Sequence, residues 1–572
     1  MPDIAGRRPK GLDNGLTNYG DRDFARYLRR SFAKSMGYSD ASLDKPIVGI
    51  CYTESGFNNC HRHFPEMLEA VKRGVLAAGA LPVPFPVISL GEVFLSPTSL
   101  VYRNLMAMAV EEMIRSQPMD SVVLMGGCDK TVPALLMGAA SAGKPAAMIV
   151  AGPMMTGRHR GERLGACTDC RRFWANFRAG SVSETEINQV EGRLAVTAGT
   201  CAVMGTASTM ALIAETLGFL IPGTAAIPAV HADRLRASEE TGALAARMAA
   251  SGGPTPDRLI TRKSVENAIR VLLTVSGSTN AVIHLAAIAG RLGIDIDLAR
   301  FNELSDETPV LVDLKPVGSG YMEDFHTAGG LDGVLRGIAD KLNVECADVT
   351  GRTIGERLAT PLADPIDQRV IRPPESPVSR VGGLIALTGT LAPQGAILKR
   401  AAATPSLLEH EGRAVVFTSL EDLARRIDDP DLDVNADDIL VLQNAGPRSA
   451  SGMPEAGYLP IPRKLARQGV KDMVRISDAR MSGTAFGTIV LHVTPETDAG
   501  GPLAYVRNGD RIRLSAARKS IDLLVPPDEL SRRQPAGRTE EPARRGYAML
   551  YHRSVMPATA GCDFDFLMPA RE

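Results

Sequence analysis

The 572-residue sequence is poor in aromatic residues and has no excess of charge of either sign. Trp, Tyr and Phe together make up 5% of it, so it offers no extended surface on which nucleic-acid bases could stack. Its 64 Lys and Arg residues balance 65 Asp and Glu residues, whereas nucleic-acid-binding proteins usually carry a basic excess. The composition therefore argues against a nucleic-acid partner and favours a small, diffusible ligand.

Long apolar runs and nucleotide-binding motifs are also missing. No window holds about 18 or more uninterrupted apolar residues, and residues 1–15 lack the apolar core of a signal peptide. We therefore predict a cytoplasmic protein with no membrane segment. Because neither a Walker A motif nor a GxGxxG motif after a predicted strand occurs, a nucleotide or dinucleotide cofactor is not expected.

Cysteine is scarce, with eight residues that are too few and too scattered for a disulfide scaffold. In a reduced protein a cysteine is a small buried hydrophobe, a metal ligand or a nucleophile. Cys60, Cys128 and Cys201 lie in Gly-, Asn- or Thr-rich breaks, where a buried apolar side chain has little reason to be. Their spacing matches no local metal motif, so structural thiols and metal ligands both stay open. Three thiolates around iron would leave a position free for a substrate oxygen.

Length and pattern predict two domains, residues 1–375 and 376–572, because a single core rarely exceeds about 300 residues. In the first part, apolar strand-like runs alternate with amphipathic helical stretches. This alternation is typical of an α/β domain in which helices cover both faces of a mainly parallel sheet. Beyond the proline-bearing stretch 360–379, short strands separated by turns indicate a β-rich, barrel-like domain, with a hairpin predicted around Asn508 and Gly509.

Polar residues follow the first three predicted strands, and parallel sheets bind ligands beyond the carboxyl ends of their strands. These strands run into Cys60, into Glu92 and into the triplet Cys128, Asp129 and Lys130, which we expect to converge on one edge. A carboxylate and a lysine beside a thiolate would let a hard cation such as Mg²⁺ bind next to a soft metal. The alternative is that Asp129 caps the following helix while Lys130 faces solvent.

The predicted helix over residues 202–218 begins directly after Cys201. The free amide groups and the positive dipole end of such a helix would face that thiol. A helix N-terminus favours the thiolate form, so this arrangement would prepare Cys201 for metal binding.

Longer motifs extend the argument to a family: GGCDKTVPALLMGAA, TAGTCAVMGTASTMALIAETLG, GSTNAVIHLAAIAG, HTAGG, NAGPRSASGMPE, ISDARMSGTAFG and GCDFDFL. The chain resembles the dihydroxy-acid and phosphogluconate dehydratases, which include the aldonic (sugar) acid dehydratases. The resemblance runs from about residue 45 to the C-terminus, and its CDK-TVP and SDARMSG motifs are specific. It implies an α/β N-terminal domain followed by a β-barrel-like C-terminal domain.

The resemblance also implies the residues of an active site. Three cysteines would hold an iron–sulfur cluster: Cys60, Cys128 and Cys201. Because all three are present, the resemblance favours a [2Fe-2S] cluster over a [4Fe-4S] cluster. Four residues would surround Mg²⁺: Glu92, Asp129, Glu455 and a carbamylated Lys130. Two residues would act on the substrate: Ser482 as the base and Thr484 as a hydrogen-bond donor.

The implied activity is that of a hydro-lyase that converts a 2,3-dihydroxy carboxylate of the sugar-acid type into a 2-keto-3-deoxy acid. The resemblance further implies a homodimer or homotetramer. Dehydration of 2,3-dihydroxy-isovalerate in branched-chain amino acid synthesis is the first alternative. A non-enzymatic thiol or zinc protein built around the CxxC pair Cys167 and Cys170 is the second.

Overall fold

A four-stranded parallel sheet organises the N-terminal part of the chain. The computed structural model describes residues 10–16, 19–537 and 543–569, so the prediction about residues 1–15 falls mostly outside the described residues. The strands are β1 (Ile47–Tyr52), β2 (Leu81–Pro86), β3 (Ser121–Gly126) and β4 (Ala146–Val150). They lie side by side in the order β2-β1-β3-β4, and every neighbouring pair is parallel. A small antiparallel pair follows: β5 (Gly157–His159) and β6 (Glu162–Leu164).

Helices cover both faces of this sheet, as the sequence predicts. The helices of this part are α1 (Arg22–Ser35), α2 (Asp40–Leu43), α3 (Phe64–Ala77), α4 (Ser99–Ser116), α5 (Thr131–Ala142), α6 (Thr168–Ala179), α7 (Glu184–Glu191), α8 (Thr206–Thr216), α9 (Ala232–Ser251), α10 (Pro256–Leu259), α11 (Arg262–Thr274), α12 (Asn280–Gly290), α13 (Leu298–Glu307), α14 (Met322–Thr327), α15 (Gly330–Gly337) and α16 (Ile354–Ala359). Val123 of β3 packs with α3 and α9, whereas its neighbour Leu124 packs with α4, α5 and α8. Successive strand residues thus enter different cores, as β geometry requires.

Helices α3 and α9 cross at two glycines that permit a close approach. A Cβ atom on Gly74 would lie 1.9 Å from the carbonyl oxygen of Glu239, and one on Gly242 would lie 2.2 Å from that of Val71. Either contact is far inside van der Waals distance. Only glycine therefore fits at this crossing, which seals one face of the sheet.

The C-terminal part is built on an eight-stranded mixed sheet. Its strands are β7 (Ile385–Leu387), β8 (Gly395–Leu398), β9 (Glu409–Phe417), β10 (Ile439–Leu442), β11 (Arg475–Ser477), β12 (Ile489–Thr494), β13 (Arg511–Ser515) and β14 (Ser520–Leu523). Its helices are α17 (Leu420–Arg426), α18 (Arg463–Arg467), α19 (Pro527–Leu530) and α20 (Gly546–Ser554). No helix among the described residues is long and apolar enough to cross a membrane.

The sheet curls into a nearly closed barrel, which confirms the predicted fold class. Its order is β14-β13-β9-β10-β11-β12-β8-β7, with a parallel centre from β9 to β12 and antiparallel flanks. The two edges meet, because the N–H of Ile521 donates to the carbonyl of Thr388 at 3.0 Å and the N–H of Thr388 donates to that of Lys519 at 3.0 Å. Because the two edge segments bond to each other, few of their backbone groups are left free to pair with another chain.

Two local predictions are wrong. The hairpin joins β13 and β14, not strands on either side of Asn508, because the side chain of Asn508 accepts a hydrogen bond from the N–H of Val416 and the turn docks on β9. Helix α8 begins at Thr206, not directly after Cys201. The N–H groups of Ala202 and Met204 donate to the carbonyls of Ala166 and Lys315 instead, so Cys201 does not lie at a helix N-terminus.

The side chain of Lys399, the residue after β8, is 1% exposed, and its Nζ has no hydrogen-bond partner among the described residues. Burial lowers the pKa of Lys399 to about 7. An unfolded lysine titrates near pH ~10.4, so the folded state is penalised most below pH ~7, and the penalty fades as the pH rises toward ~10. We predict that Lys399→Met raises the thermal unfolding midpoint at pH ~7 and that its advantage shrinks toward pH ~10.

Circular dichroism melts over this pH range test the prediction. Lys34→Met, at an exposed site on α1, is the matched control and should leave the profile unchanged. A midpoint for Lys399→Met below that of the wild type at pH ~7 would contradict the prediction.

Candidate active site

The predicted site residues lie on loops that follow strands of both sheets. Glu92 lies on the loop after β2, and Asp129 lies between β3 and α5. Glu455 begins a short 3-10 turn after β10, and Ser482 lies between β11 and β12. Because these loops meet, residues more than 300 positions apart in the chain share one pocket.

Three carboxylates from the two parts of the chain come together in this pocket. Glu92, Asp129 and Glu455 each offer an oxygen atom, and these atoms lie within 4.8 Å of one another. Burial, together with the negative charges of Glu455 and Glu92, raises the pKa of Asp129 to about 6 against the opposing effect of Lys130. Oxygen ligands at this spacing suit a hard divalent cation, which would also relieve their mutual repulsion.

Lys130 is buried against these carboxylates, so the alternative in which it faces solvent is wrong. Its side chain has no exposed area, and its Nζ lies 3.2 Å from Oε2 of Glu92 and 3.7 Å from Oδ2 of Asp129. Lys130 itself occupies the N-cap position of α5, so Asp129 is not a helix cap. Nζ makes no regular hydrogen bond to the described residues.

Arg480 joins two of the carboxylates through one buried guanidinium. Its Nη1 donates to Oε1 of Glu455 at 2.6 Å, and its Nη2 donates to Oε1 of Glu92 at 2.7 Å and to Oγ1 of Thr98 at 2.6 Å. Burial opposes ionisation of Glu92, but the charges of Arg480 and Lys130 outweigh it and hold the pKa of Glu92 well below its ordinary value. Glu92 is therefore ionised, and its bond to Arg480 is a charged pair.

The three predicted cysteines lie beside these carboxylates. Hydrogen bonding with Cys128, followed by burial, raises the pKa of Cys60 well above its ordinary value. Hydrogen bonding with Cys167, followed by burial, raises the pKa of Cys201 in the same direction. The charge of Asp129 contributes to both shifts, which indicates that thiols and carboxylates are neighbours. Such thiols become thiolates when a soft metal displaces their protons, so the donor set fits an iron–sulfur cluster.

His61 is a structural residue that orients Cys128. Its Nδ1 lies 2.7 Å from the carbonyl of Thr53, and its Nε2 accepts from the N–H of Cys128 at 3.0 Å. These partners assign the proton to Nδ1. Burial lowers the pKa of His61 to about 3, so the ring stays neutral and Nε2 remains an acceptor.

Ser482 and Thr484 form a buried hydroxyl pair on the loop between β11 and β12. Their oxygen atoms lie 2.8 Å apart. Oγ1 of Thr168, at the start of α6, donates to the carbonyl of Thr484 at 3.0 Å. Between them, a Cβ atom on Gly483 would lie 2.7 Å from the backbone nitrogen of Thr206, so this loop is wedged tightly against α8.

Comparison with known proteins decides the family. The description "Dihydroxy-acid/6-phosphogluconate dehydratase N-terminal" matches residues 45–357, and its C-terminal counterpart matches residues 369–562. The chain belongs to this dehydratase family. The L-arabonate dehydratase of Azospirillum brasilense is 45% identical over 97% of this chain and 96% of that protein. The 6-deoxy-6-sulfo-D-gluconate dehydratase of Pseudomonas putida is 45% identical over 92% and 91%. A dihydroxy-acid dehydratase of Carboxydothermus hydrogenoformans is 36% identical over 94% and 97%.

Two residues of this dehydratase pocket were missed by sequence reasoning. Arg480 lies inside the SDARMSG motif, and a charged residue among small and apolar neighbours was the available signal. Cys167 was considered only as one half of a CxxC pair, but its Sγ lies 3.4 Å from Sγ of Cys201. Its position was not predictable, because the two cysteines are brought together by tertiary contacts.

Replacing Arg480 by Met removes the cationic partner of Glu455 and one of the two cationic partners of Glu92, the other being Lys130. We predict a loss of about 3–5 kcal/mol in the free energy of unfolding of the dehydratase without added metal, because an uncompensated buried charge is costly. The double variant Arg480→Met/Glu455→Gln should recover part of this loss.

Denaturation in urea measures both variants. Arg511→Met, which removes an arginine whose side chain is 53% exposed, serves as the control and should unfold like the wild type. Unfolding of Arg480→Met at the wild-type urea concentration would rule out the proposed pairing.

Proposed function

We propose that the protein is a hydro-lyase that dehydrates a sugar acid, a 2,3-dihydroxy carboxylate, to a 2-keto-3-deoxy acid. The observation that carries this proposal is the proximity of three groups of side chains. The charge of Asp129, one of the three clustered carboxylates, acts on Cys60 and Cys201. A Cβ atom on Gly205 would lie 2.9 Å from Cγ2 of Thr484 and 3.9 Å from Cβ of Cys201, so the Ser482–Thr484 pair lies beside the thiols. Two relatives at 45% identity are named as dehydratases of sugar acids, whereas a dihydroxy-acid dehydratase is 36% identical. The sugar-acid substrate is therefore preferred to dihydroxy-isovalerate.

The residues present suit two inorganic groups. Cys60, Cys128 and Cys201 would hold an iron–sulfur cluster, for which we propose the [2Fe-2S] form over [4Fe-4S]. Glu92, Asp129 and Glu455 would hold Mg²⁺. When bound, such groups supply Lewis acidity toward the oxygen atoms of the substrate.

We assign proton removal to Ser482. Its Oγ, as the alkoxide, takes the proton from C2 of the substrate, and Oγ1 of Thr484, 2.8 Å away, donates a hydrogen bond that stabilises the alkoxide before the transfer. A serine hydroxyl acts as a base only when nearby positive charge favours the alkoxide. In the proposed site Mg²⁺ would supply this positive charge. Arg480, two residues before Ser482 on the same loop, orients two of the carboxylates that would hold the ion, Glu92 and Glu455. The C3 hydroxyl then leaves and takes up the proton that Ser482 received from C2, so that it departs as water and the serine alkoxide is restored; the enol product tautomerises to the 2-keto acid.

We further propose that Lys130 is carbamylated. Its ammonium group first releases a proton; the amine then forms an N–C bond to carbon dioxide with loss of a second proton, which creates a carbamate that adds an oxygen ligand to the carboxylate set. The buried Nζ, without a regular hydrogen bond, supports this assignment. The nuclear magnetic resonance spectrum of wild-type protein prepared with ¹³C-bicarbonate should show a carbamate carbon resonance that the Lys130→Arg variant lacks. A wild-type spectrum without this resonance would exclude the modification.

Assembly as a homodimer or homotetramer in the cytoplasm completes the proposal. Helix α1 exposes four large apolar side chains on or next to it: Phe24, Tyr27, Phe32 and Met36. Exposed apolar groups of this size are typical of interaction surfaces. Sedimentation of a monomer at micromolar concentration would exclude such assembly.

A substrate panel tests the function. Anaerobically purified, Mg²⁺-supplied protein should be brown and should form 2-keto acid from one or more pentonates or hexonates, with little product from glycerate or dihydroxy-isovalerate. Cys128→Ser should be colourless and inactive. Preference for dihydroxy-isovalerate would favour the biosynthetic alternative, and a colourless wild-type protein with bound zinc would favour the thiol or zinc alternative.

Ser482→Ala should separate binding from proton removal. We expect wild-type iron, sulfide and Mg²⁺ contents with turnover reduced by about 10²-fold or more, because only the base is lost. Ser251→Ala, at the end of α9, is the control and should retain the wild-type rate. Comparable rates for Ser482→Ala and wild type would remove Ser482 from the mechanism.

A further inference from the structure

We propose that Cys167 is a fourth thiol ligand of the cluster in the substrate-free enzyme and that the substrate displaces it. This inference rests on the proposed iron–sulfur chemistry and extends it to a residue outside the three-cysteine set. Its observation is the 3.4 Å separation between Sγ of Cys167 and Sγ of Cys201.

That separation suits two ligands of one metal. Thiolates bound to a tetrahedral metal at about 2.3 Å lie about 3.8 Å apart. A disulfide would require a separation of about 2.05 Å. Small rotations of the two side chains thus bring them to the spacing of a shared metal.

The backbone keeps the two cysteines side by side. The N–H of Ala202 donates to the carbonyl of Ala166 at 2.9 Å. The residues that follow Cys201 and precede Cys167 are therefore joined by a backbone hydrogen bond. Both thiols belong to one cluster of packed side chains with Met154 and Tyr321. Cys167 is therefore part of the walls of the cluster pocket.

A buried carboxylate anchors the segment that carries Cys167. Asp169 has no exposed area and accepts hydrogen bonds from the N–H of Gly165 at 2.8 Å and from the hydroxyl of Tyr321 at 3.0 Å. Its Oδ1 also lies 3.0 Å from Nζ of Lys315. This network fixes the start of α6, so Cys167 is held in position as a pre-arranged ligand.

The same segment contacts the proposed catalytic loop. Thr168, the next residue, donates its hydroxyl hydrogen bond to the carbonyl of Thr484 at 3.0 Å. The segment that carries Cys167 thus contacts both Cys201 and the loop that carries Ser482. Release of Cys167 as a neutral thiol, with uptake of one proton, would free a coordination position for a substrate hydroxyl.

Electron paramagnetic resonance of the dithionite-reduced, anaerobically purified enzyme tests the inference. In the wild type we expect the g values to shift when a turned-over sugar acid is added. Cys167→Ala should keep the wild-type iron and sulfide contents, show different g values before substrate is added, and lose its cluster several-fold faster in air. Cys346→Ala, which removes a cysteine remote from this cluster, is the matched control and should behave like the wild type.

The outcomes separate this inference from the proposed function. If the wild type holds a cluster and turns over a sugar acid but Cys167→Ala has an identical substrate-free spectrum and air stability, only the inference fails. If the wild type binds no cluster, both fail. Should Cys167→Ala not fold, Cys167→Ser replaces it: a spectrum altered by the oxygen ligand supports the inference, and an unaltered spectrum overturns it.

Discussion

The ion pairs of Arg480 with Glu92 and Glu455 are the interaction on which the pocket depends. One carboxylate comes from the loop after β2, the other from the turn after β10, and the guanidinium between them has no exposed area. Separating the two parts of the chain would break the bonds from Arg480 to Glu92 and to Thr98, whereas Arg480 and Glu455 lie in the same part and would stay paired. The position of the pocket and the docking of the two sheets are therefore set by the same hydrogen bonds.

The pocket combines hard and soft donors within a short distance, and each set is held by its own supports. His61 fixes the backbone of Cys128, while Arg480 and Lys130 balance the carboxylates. Neutral His61 and charged Arg480 lie on different elements, so the thiol side and the carboxylate side are stabilised independently. With this separation, the soft metal group and the hard cation of the proposed function would be neighbours without sharing ligands.

Much of this arrangement was predictable from the sequence, because strand ends in a parallel sheet converge. The convergence of Glu92 with Asp129 follows from that rule, and Glu455 and Ser482 were added by the family resemblance. Arg480 carried only the signal of a charged residue within the SDARMSG motif, and Cys167 only that of a CxxC pair, because the partners of both residues are brought to them by contacts made across the fold. The start of α8 was misplaced since the sequence cannot reveal that Ala202 and Met204 donate to Ala166 and Lys315. The hairpin was misplaced since Asn508 bonds to β9 rather than leading a strand.

The order of the pocket residues along the chain bears on how the protein matures during synthesis. The thiols at Cys60, Cys128 and Cys201 all lie in the first part of the chain, as do the sheet and helices that position them. Glu455 and Arg480 emerge from the ribosome much later. The three thiols are therefore synthesised before any strand of the barrel, whereas the complete carboxylate set exists only after Glu455 has been added.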